Sequence, residues 1–342
     1  MRAAIIGTGH IASSYARTLR AHGARITACL DVNPARAERF AARWDSVAVT
    51  EPAGLRRHSP DVAINLTPPR EHGSVTETLL DLGIPVYTEK PLAHELGIAR
   101  ALVARSDERG IALMCAPDTL FGGPQQQLRR LVDAGLIGRP LLLHGQMAWS
   151  GHETWHPRPQ MFYQRGAGPL LDLGPYWVTT MLDLAGPAVA VTAVDASPGT
   201  GGGGRAGAEV PLTVAVLIEF RSGAVGTLAM SFDWPATTAP PLQILGEKGS
   251  LICDMPMFEG RGTVRYRPHG ARAWSVLPRT APAVPWQRGI GVVHMLRGHD
   301  MSESLLGKRR ALHILDILQA AADSIGSGAR TEVTTVWSRV RE

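Results

Sequence analysis

Lys90 is one of three lysines in a chain of 342 residues whose lysines and arginines together number 35. It stands in the stretch Tyr87-Thr88-Glu89-Lys90-Pro91. Arginine keeps its proton inside proteins, whereas a lysine drawn partly out of water can release one near neutral pH and serve as acid or base. A second group with chemistry in it opens the chain: Gly7-Thr8-Gly9-His10-Ile11-Ala12, a GxGxxA pattern. Its first glycine permits a tight turn, its second lets backbone approach a pyrophosphate, and the small Ala12 lets helix and strand pack closely. Asp31 closes the next apolar run, where a carboxylate accepts hydrogen bonds from ribose hydroxyls and repels a 2′-phosphate. NAD is therefore expected ahead of NADP, with Arg36 near enough to blur the choice.

A third group is His152-Glu153-Thr154-Trp155-His156, a literal HExxH. Zinc binding by that pattern requires a helix that turns both histidines to one side. Gly151 precedes it, Pro157 follows His156 directly and Pro159 comes soon after, which disfavours helical geometry. Two expectations stand in its place: a loop that meets substrate, with Trp155 and Tyr163 as stacking rings and His156 offering an imidazole, or an ordinary surface loop. No metal site is expected.

These groups need elements to hold them. Over residues 1–120, short apolar runs (AAIIG, ITACLD, DVAINL, PVYTE, IALMCA) alternate with amphipathic stretches, among them NPARAERFAARW with Pro34 in its first turn. Strict alternation of strand and helix implies right-handed crossovers and a parallel sheet, a Rossmann dinucleotide-binding domain. The pyrophosphate motif then lies at the carboxyl edge of that sheet, as do Asn65-Leu66-Thr67-Pro68-Pro69-Arg70-Glu71-His72 and Glu89-Lys90. Beyond residue 120 the pattern changes. A helix near 124–136, the strand LLLHGQMAW, a loop over 149–169 and a helix near 171–185 precede strand after strand from 188 to 278. Residues 121–342 thus read as a second domain built on a mainly antiparallel sheet. Gly-rich 199–207 reads as a surface loop, and the last helix stops near Gly326.

Bulk properties exclude other classes. A net charge of +5 and pI of 9.4 come from scattered arginines with acidic residues between them, not from a basic block, so nucleic acid is not an expected partner. Cys29, Cys115 and Cys253 are few, odd in number and far apart, which suits a reducing cytoplasm. No apolar run of about 18 residues indicates a membrane span, and the N-terminus lacks a signal-peptide core.

GTGHIA at the start, Asp31, Thr67-Pro68-Pro69 followed by His72, Glu89-Lys90-Pro91 and Asp172 on a later helix together resemble the Gfo/Idh/MocA oxidoreductase family. The resemblance implies that residues 121–342 form an α/β domain with a large open, mainly antiparallel sheet serving substrate binding and oligomerisation. It implies hydride transfer between nicotinamide and a sugar, cyclitol or related polyol, in a homodimer or homotetramer. It implies that Gly7, Gly9, His10, Ile11 and Asp31 hold the cofactor. It also implies that Thr67, Pro68 and His72 border the nicotinamide end, that Glu89 lies beside the cofactor, and that Lys90 exchanges the proton. Many members carry a DxGxH pattern where this chain reads Asp172-Leu173-Gly174-Pro175-Tyr176. Tyr176 stands in the place of the histidine, and on one continuous helix it would share a face with Asp172. Tyrosine is a poorer base at neutral pH, so Lys90 would carry more of the proton transfer, or His156 would supply an imidazole. The same departure leaves open a redox-neutral enzyme that oxidises a sugar carbon transiently and returns the hydride, and a non-catalytic NAD-binding sensor. Asp118 and Thr119, after the last strand of the first domain, are candidates to face substrate.

Overall fold

The computed structural model describes residues 1–153, 155–197, 207–234, 241–254, 262–279, 287–298 and 306–338. The sequence expectation for the glycine-rich loop falls almost wholly outside them. The chain forms two compact units, Met1–Asp118 with Gln287–Leu315, and Thr119–Trp286 with Asp316–Glu342.

The first unit follows the alternation of its sequence. Strands β1 (Arg2–Ile6), β2 (Arg25–Leu30), β3 (Val47–Ala48), β4 (Val62–Asn65), β5 (Val86–Thr88) and β6 (Leu113–Cys115) interleave with helices α1 (Ala12–Ala21), α2 (Pro34–Trp44), α3 (His72–Asp81) and α4 (Leu96–Arg109). They order as β3-β2-β1-β4-β5-β6, every pair parallel. Ala3, Ala4, Ile5, Val62, Ala63, Ile64 and Val86 are wholly buried, as a sheet covered on both faces requires. The order reverses between β1 and β4, and ligands bind in the crevice at the carboxyl ends of such strands. Local signals set the helix ends: Asn33 accepts a hydrogen bond from the Arg36 N–H, Pro34 begins α2, and Gly110 closes α4 in the left-handed region.

The second unit holds α5 (Gly123–Asp133), β7 (Pro140–Ala148), α6 (Gly168–Asp172), α7 (Gly174–Ala185), β8 (Ala188–Asp195), β9 (Thr213–Phe220), β10 (Val225–Ser231), β11 (Leu242–Gly246), β12 (Gly249–Cys253), β13 (Val264–Pro268) and β14 (Ser275–Val276). The chain continues through α8 (Ile290–Leu296), α9 (Lys308–Ser327) and β15 (Thr331–Glu332). The sheet runs β14-β13-β12-β11-β7-β10-β9-β8-β15, antiparallel except between β7 and β10. On β9, Val214, Val216, Ile218 and Phe220 point inward while Ala215 and Leu217 are exposed, the period of two of a strand covered on one face. Trp177 of α7 packs against β7 where Gly145 leaves it room, and Ser324 of α9 accepts from the Ala193 N–H of β8.

Three expectations change. The units are not consecutive halves of the chain meeting near residue 120, because Gln287–Leu315 returns to the first unit. The returning segment is tied by the buried Asp118 carboxylate, which accepts from the Gly289 and Gly291 N–H groups at 2.8 and 3.1 Å. Asp118 and Thr119 therefore do not face substrate: both are buried, and the Asp118 carboxylate is used in this tie. The expected helix over 171–185 is also two helices. Pro175 has no N–H to continue the ladder, and the Tyr176 N–H donates to Leu173 O, only three residues back.

Candidate active site

At the β1–α1 turn, Gly7 has φ of +87°, and a Cβ there would stand 2.8 Å from the carbonyl carbon and oxygen of Leu66. Only glycine lets the turn lie so close to the end of β4. Gly9 differs: a Cβ there would meet nothing within 4 Å, so its side is open for a ligand to approach the backbone. His10 is exposed and Ile11 half-buried at the entry to α1, which has neither a side-chain cap nor an acidic residue in its first turn. Uncapped amides at a helix start attract a pyrophosphate. The turn fits a dinucleotide.

Asp31 stands at the end of β2 with its carboxylate crowded by donors. The Thr8 N–H and hydroxyl both donate to Oδ2 at 2.9 Å. The Asn33 N–H donates to Oδ1 at 2.8 Å, as does the Arg36 guanidinium at 2.8 and 3.2 Å. Burial pushes this carboxyl up, but the Asn33 and Thr8 hydrogen bonds and Arg36 outweigh it and hold the group below the usual carboxylate range. A carboxylate has about four acceptor positions, so a ribose hydroxyl must displace a donor, and Arg36, on a long side chain, is the one that can swing away. Arg36→Ala is expected to tighten NAD binding by about threefold and to weaken NADP binding by about tenfold, since Arg36, once displaced, could meet a 2′-phosphate. Calorimetric titration with each nucleotide checks it, and equal changes for both would contradict it.

Asn65, buried at the end of β4, organises the next loop. Its Oδ1 accepts from the Thr67 N–H and hydroxyl at 3.2 and 2.6 Å, and its amide donates to His72 O and Thr76 Oγ1. Thr67 is half-buried and Pro68 exposed, so this loop presents them at the sheet edge. His72 is buried, with Nδ1 2.6 Å from Pro91 O and Nε2 2.8 Å from Thr67 O. Only the doubly protonated ring donates to both carbonyls, yet burial, the strongest influence, pulls its pKa down. His72 thus ties the Thr67 loop to the Lys90 loop, and it bears on a ligand through those loops.

Glu89 is held more firmly than any other residue of the site. Oε1 accepts from Tyr15 Oη at 2.9 Å and from Arg288 Nη1 at 2.8 Å, Oε2 accepts from the Lys90 N–H at 3.1 Å, and its own N–H donates to Asn65 O. Burial raises the carboxyl, but Arg288, Lys90 and the Tyr15 hydroxyl together hold it below its ordinary value. Lys90 follows, half-buried at the carboxyl end of β5, with a cis bond to Pro91. The first unit therefore gathers Gly7, Gly9, Asp31, Thr67, Pro68, Glu89 and Lys90 along one sheet edge. Three contributors escaped the sequence reading. Asn65, two residues before Thr67, carried a local Asx signal. Tyr15 and Arg288 carried none, because they reach Glu89 from 74 and 199 residues away.

In the second unit Asp172 ends α6 and Tyr176 lies in the first turn of α7, buried. The imidazole beside Asp172 belongs to His152, whose Nε2 is 3.5 Å from Asp172 Oδ2. The His156 ring meets Phe162 edge-on, and its Nδ1 accepts from the Arg158 N–H at 3.1 Å. The His156 N–H does reach His152 O at 2.9 Å, one helical turn, but His152 is stacked flat on Phe162 with ring centroids 3.8 Å apart. Among the described residues no group of three His, Cys, Asp or Glu is placed to hold a metal. Trp155 is exposed, as a stacking platform requires; Tyr163 is not. The Tyr163 hydroxyl is turned inward, donating to Glu153 Oε1 and accepting from the His152 N–H, so it anchors the loop.

Known proteins resemble this chain. Residues 1–116 match the family model described as an oxidoreductase family with an NAD-binding Rossmann fold, and residues 125–252 match the GFO/IDH/MocA C-terminal domain. Myo-inositol dehydrogenase Hyg17 of Streptomyces leeuwenhoekii is 33% identical over 144 residues, which is 42% of this chain and 44% of that protein. The chain thus matches less than half the length of that relative. The scyllo-inositol 2-dehydrogenase (NAD(+)) of Bacillus subtilis is 25% identical over 74% of this chain and 73% of its own. Among solved structures, a levoglucosan dehydrogenase in complex with NADH and levoglucosan superposes with a TM-score of 0.83 at 17% identity, covering 98% of this chain and all (100%) of that one. The WlbA dehydrogenase of Chromobacterium violaceum reaches 0.81 at 20%, covering 98% and 97%. These structures share the fold. With an NAD-binding Rossmann domain joined to the matching C-terminal domain, the chain belongs to the Gfo/Idh/MocA oxidoreductase family.

Proposed function

We infer that the protein is an NAD-dependent oxidoreductase that interconverts a hydroxyl and a ketone on a cyclitol, sugar or related polyol. The observation that carries this reading is Lys90: half-buried, at the ligand-binding edge of the sheet, beside a Glu89 carboxylate kept ionised by Arg288. NAD, when bound, takes a hydride at its nicotinamide ring, and NADH returns one. The chain's own residues handle everything else. Gly7, Gly9, His10 and Ile11 would receive the pyrophosphate and Asp31 the adenosine ribose, with Thr67 and Pro68 bordering the nicotinamide end. The Lys90 amine takes the proton that leaves the substrate hydroxyl as hydride leaves carbon; in reverse its ammonium polarises the carbonyl and returns the proton. Asp172 would accept hydrogen bonds from substrate hydroxyls, with Tyr176 in the first turn of the next helix, and Trp155 and His156 belong to the loop that would meet the sugar. The inositol dehydrogenases among its relatives support the substrate class.

The test is a panel of inositols, aldoses and sugar acids incubated with protein and NAD, read by nicotinamide absorbance and by product mass. NADH accumulation with a ketone product is expected. Product without net NADH would replace this reading with the redox-neutral one, and neither signal over the panel would count against an enzyme of polyols.

A further inference from the structure

His152 is wholly buried, and neither of its ring nitrogens has a hydrogen-bond partner. A buried polar group left without a partner is destabilising unless something offsets it, and the surroundings of this ring are aromatic. Phe162 stacks on one face, the Phe232 edge approaches to 4.4 Å between centroids, and Trp149, Trp155 and Tyr163 close the remaining sides. The backbone is fixed as firmly as the ring, since the His152 N–H donates to Tyr163 Oη and its carbonyl accepts from the Trp155 and His156 N–H groups. This cage holds the imidazole with Nε2 3.5 Å from Asp172 Oδ2, a separation of the kind that tightens when a ligand arrives. Asp172 is 21% exposed against 0% for His152, so the pair has one end in the dry interior and one end open.

We propose that His152 is a positioning residue: its Nε2–H donates to Asp172 Oδ2 and turns that carboxylate to accept a hydroxyl of a polyhydroxylated substrate. The proton stays on nitrogen, and no covalent bond changes. The substrate half of the statement rests on the oxidoreductase reading above; the hydrogen bond does not. The caged ring gives the half-buried Asp172 carboxylate a fixed neighbour.

Two measurements on the full chain test it. The first is the imidazole tautomer of His152 by nitrogen NMR on histidine-labelled protein, assigned by loss of its signal in His152→Phe. The Nε2–H form is expected to dominate, and to lose that dominance in Asp172→Asn. The second is steady-state kinetics. His152→Phe, which keeps the cage filled, is expected to raise KM for the polyol about tenfold while KM for NAD stays within about twofold. His152→Gln, which restores an N–H donor, should recover most of that loss. A wild-type Nδ1–H tautomer, or one indifferent to Asp172→Asn, overturns the hydrogen bond whether or not any variant folds. A normal polyol KM in folded His152→Phe overturns the substrate role. If the wild type turns over no polyol, the proposed function fails, and the tautomer still decides the pair.

Discussion

Lys90→Arg is expected to lower kcat by about 10²–10⁴-fold, the range of a general acid–base contribution. Binding of NAD should stay within about threefold, as for a group whose interaction is made only in the transition state. Arginine keeps the positive charge that helps hold the neighbouring Glu89 ionised, so the local electrostatics survive. What it loses is the ability to give up a proton. Steady-state kinetics on a turned-over polyol and calorimetric titration with NAD separate the two effects. A kcat near the wild-type value would remove Lys90 from the mechanism, while loss of NAD binding would show that its role lies in assembling the site.

Arg288→Ala carries the largest expected effect on stability, a loss of about 3 kcal/mol. The Arg288 guanidinium meets a Glu89 carboxylate that is 7% exposed, and removing it leaves that charge buried with the Tyr15 hydroxyl, the Lys90 N–H and the weaker influence of the Lys90 charge. The loss should depend on pH in a definite direction. Glu89 has a lowered pKa in the folded protein, so its stabilising contribution is present above the ordinary carboxylate range and disappears as pH falls through the folded value. In the variant, burial acts with less opposition and Glu89 takes up its proton at higher pH. The stability gap between wild type and Arg288→Ala is therefore expected to be widest near neutrality and to shrink toward acid. Urea unfolding across that range measures it, and a gap that widens toward acid would contradict the assignment of the pair.

The Rossmann half was legible because its signals are local. The GxGxxA turn, the Asn33–Pro34 helix start and the buried runs of β1 and β4 each need only a few neighbouring residues to be read. The candidate cofactor residues fall on one sheet edge for the same reason, since strands that alternate with helices all end on the same side. Long-range ties were not legible. Asp118 read as a substrate residue because nothing nearby in sequence shows it holding the amides of Gly289 and Gly291. In the second unit, helical spacing placed Tyr176 beside Asp172, but Pro175 interrupts the ladder between them. The imidazole was sought at His156, whereas the aromatic cage formed by residues from β7 to beyond β10 selects His152. That cage joins the loop to Phe232, 80 positions further on, and no period in either segment announces it.

The central claim is that this chain moves hydride between a polyol and nicotinamide. The most direct measurement is isotopic: protein and NAD are incubated with inositols and aldoses deuterated on carbon, and the nicotinamide is examined by mass spectrometry. Deuterium retained on the nicotinamide as NADH is expected for at least one member of the panel. A nicotinamide that stays unlabelled with every polyol, in protein shown to bind NAD, would contradict the account.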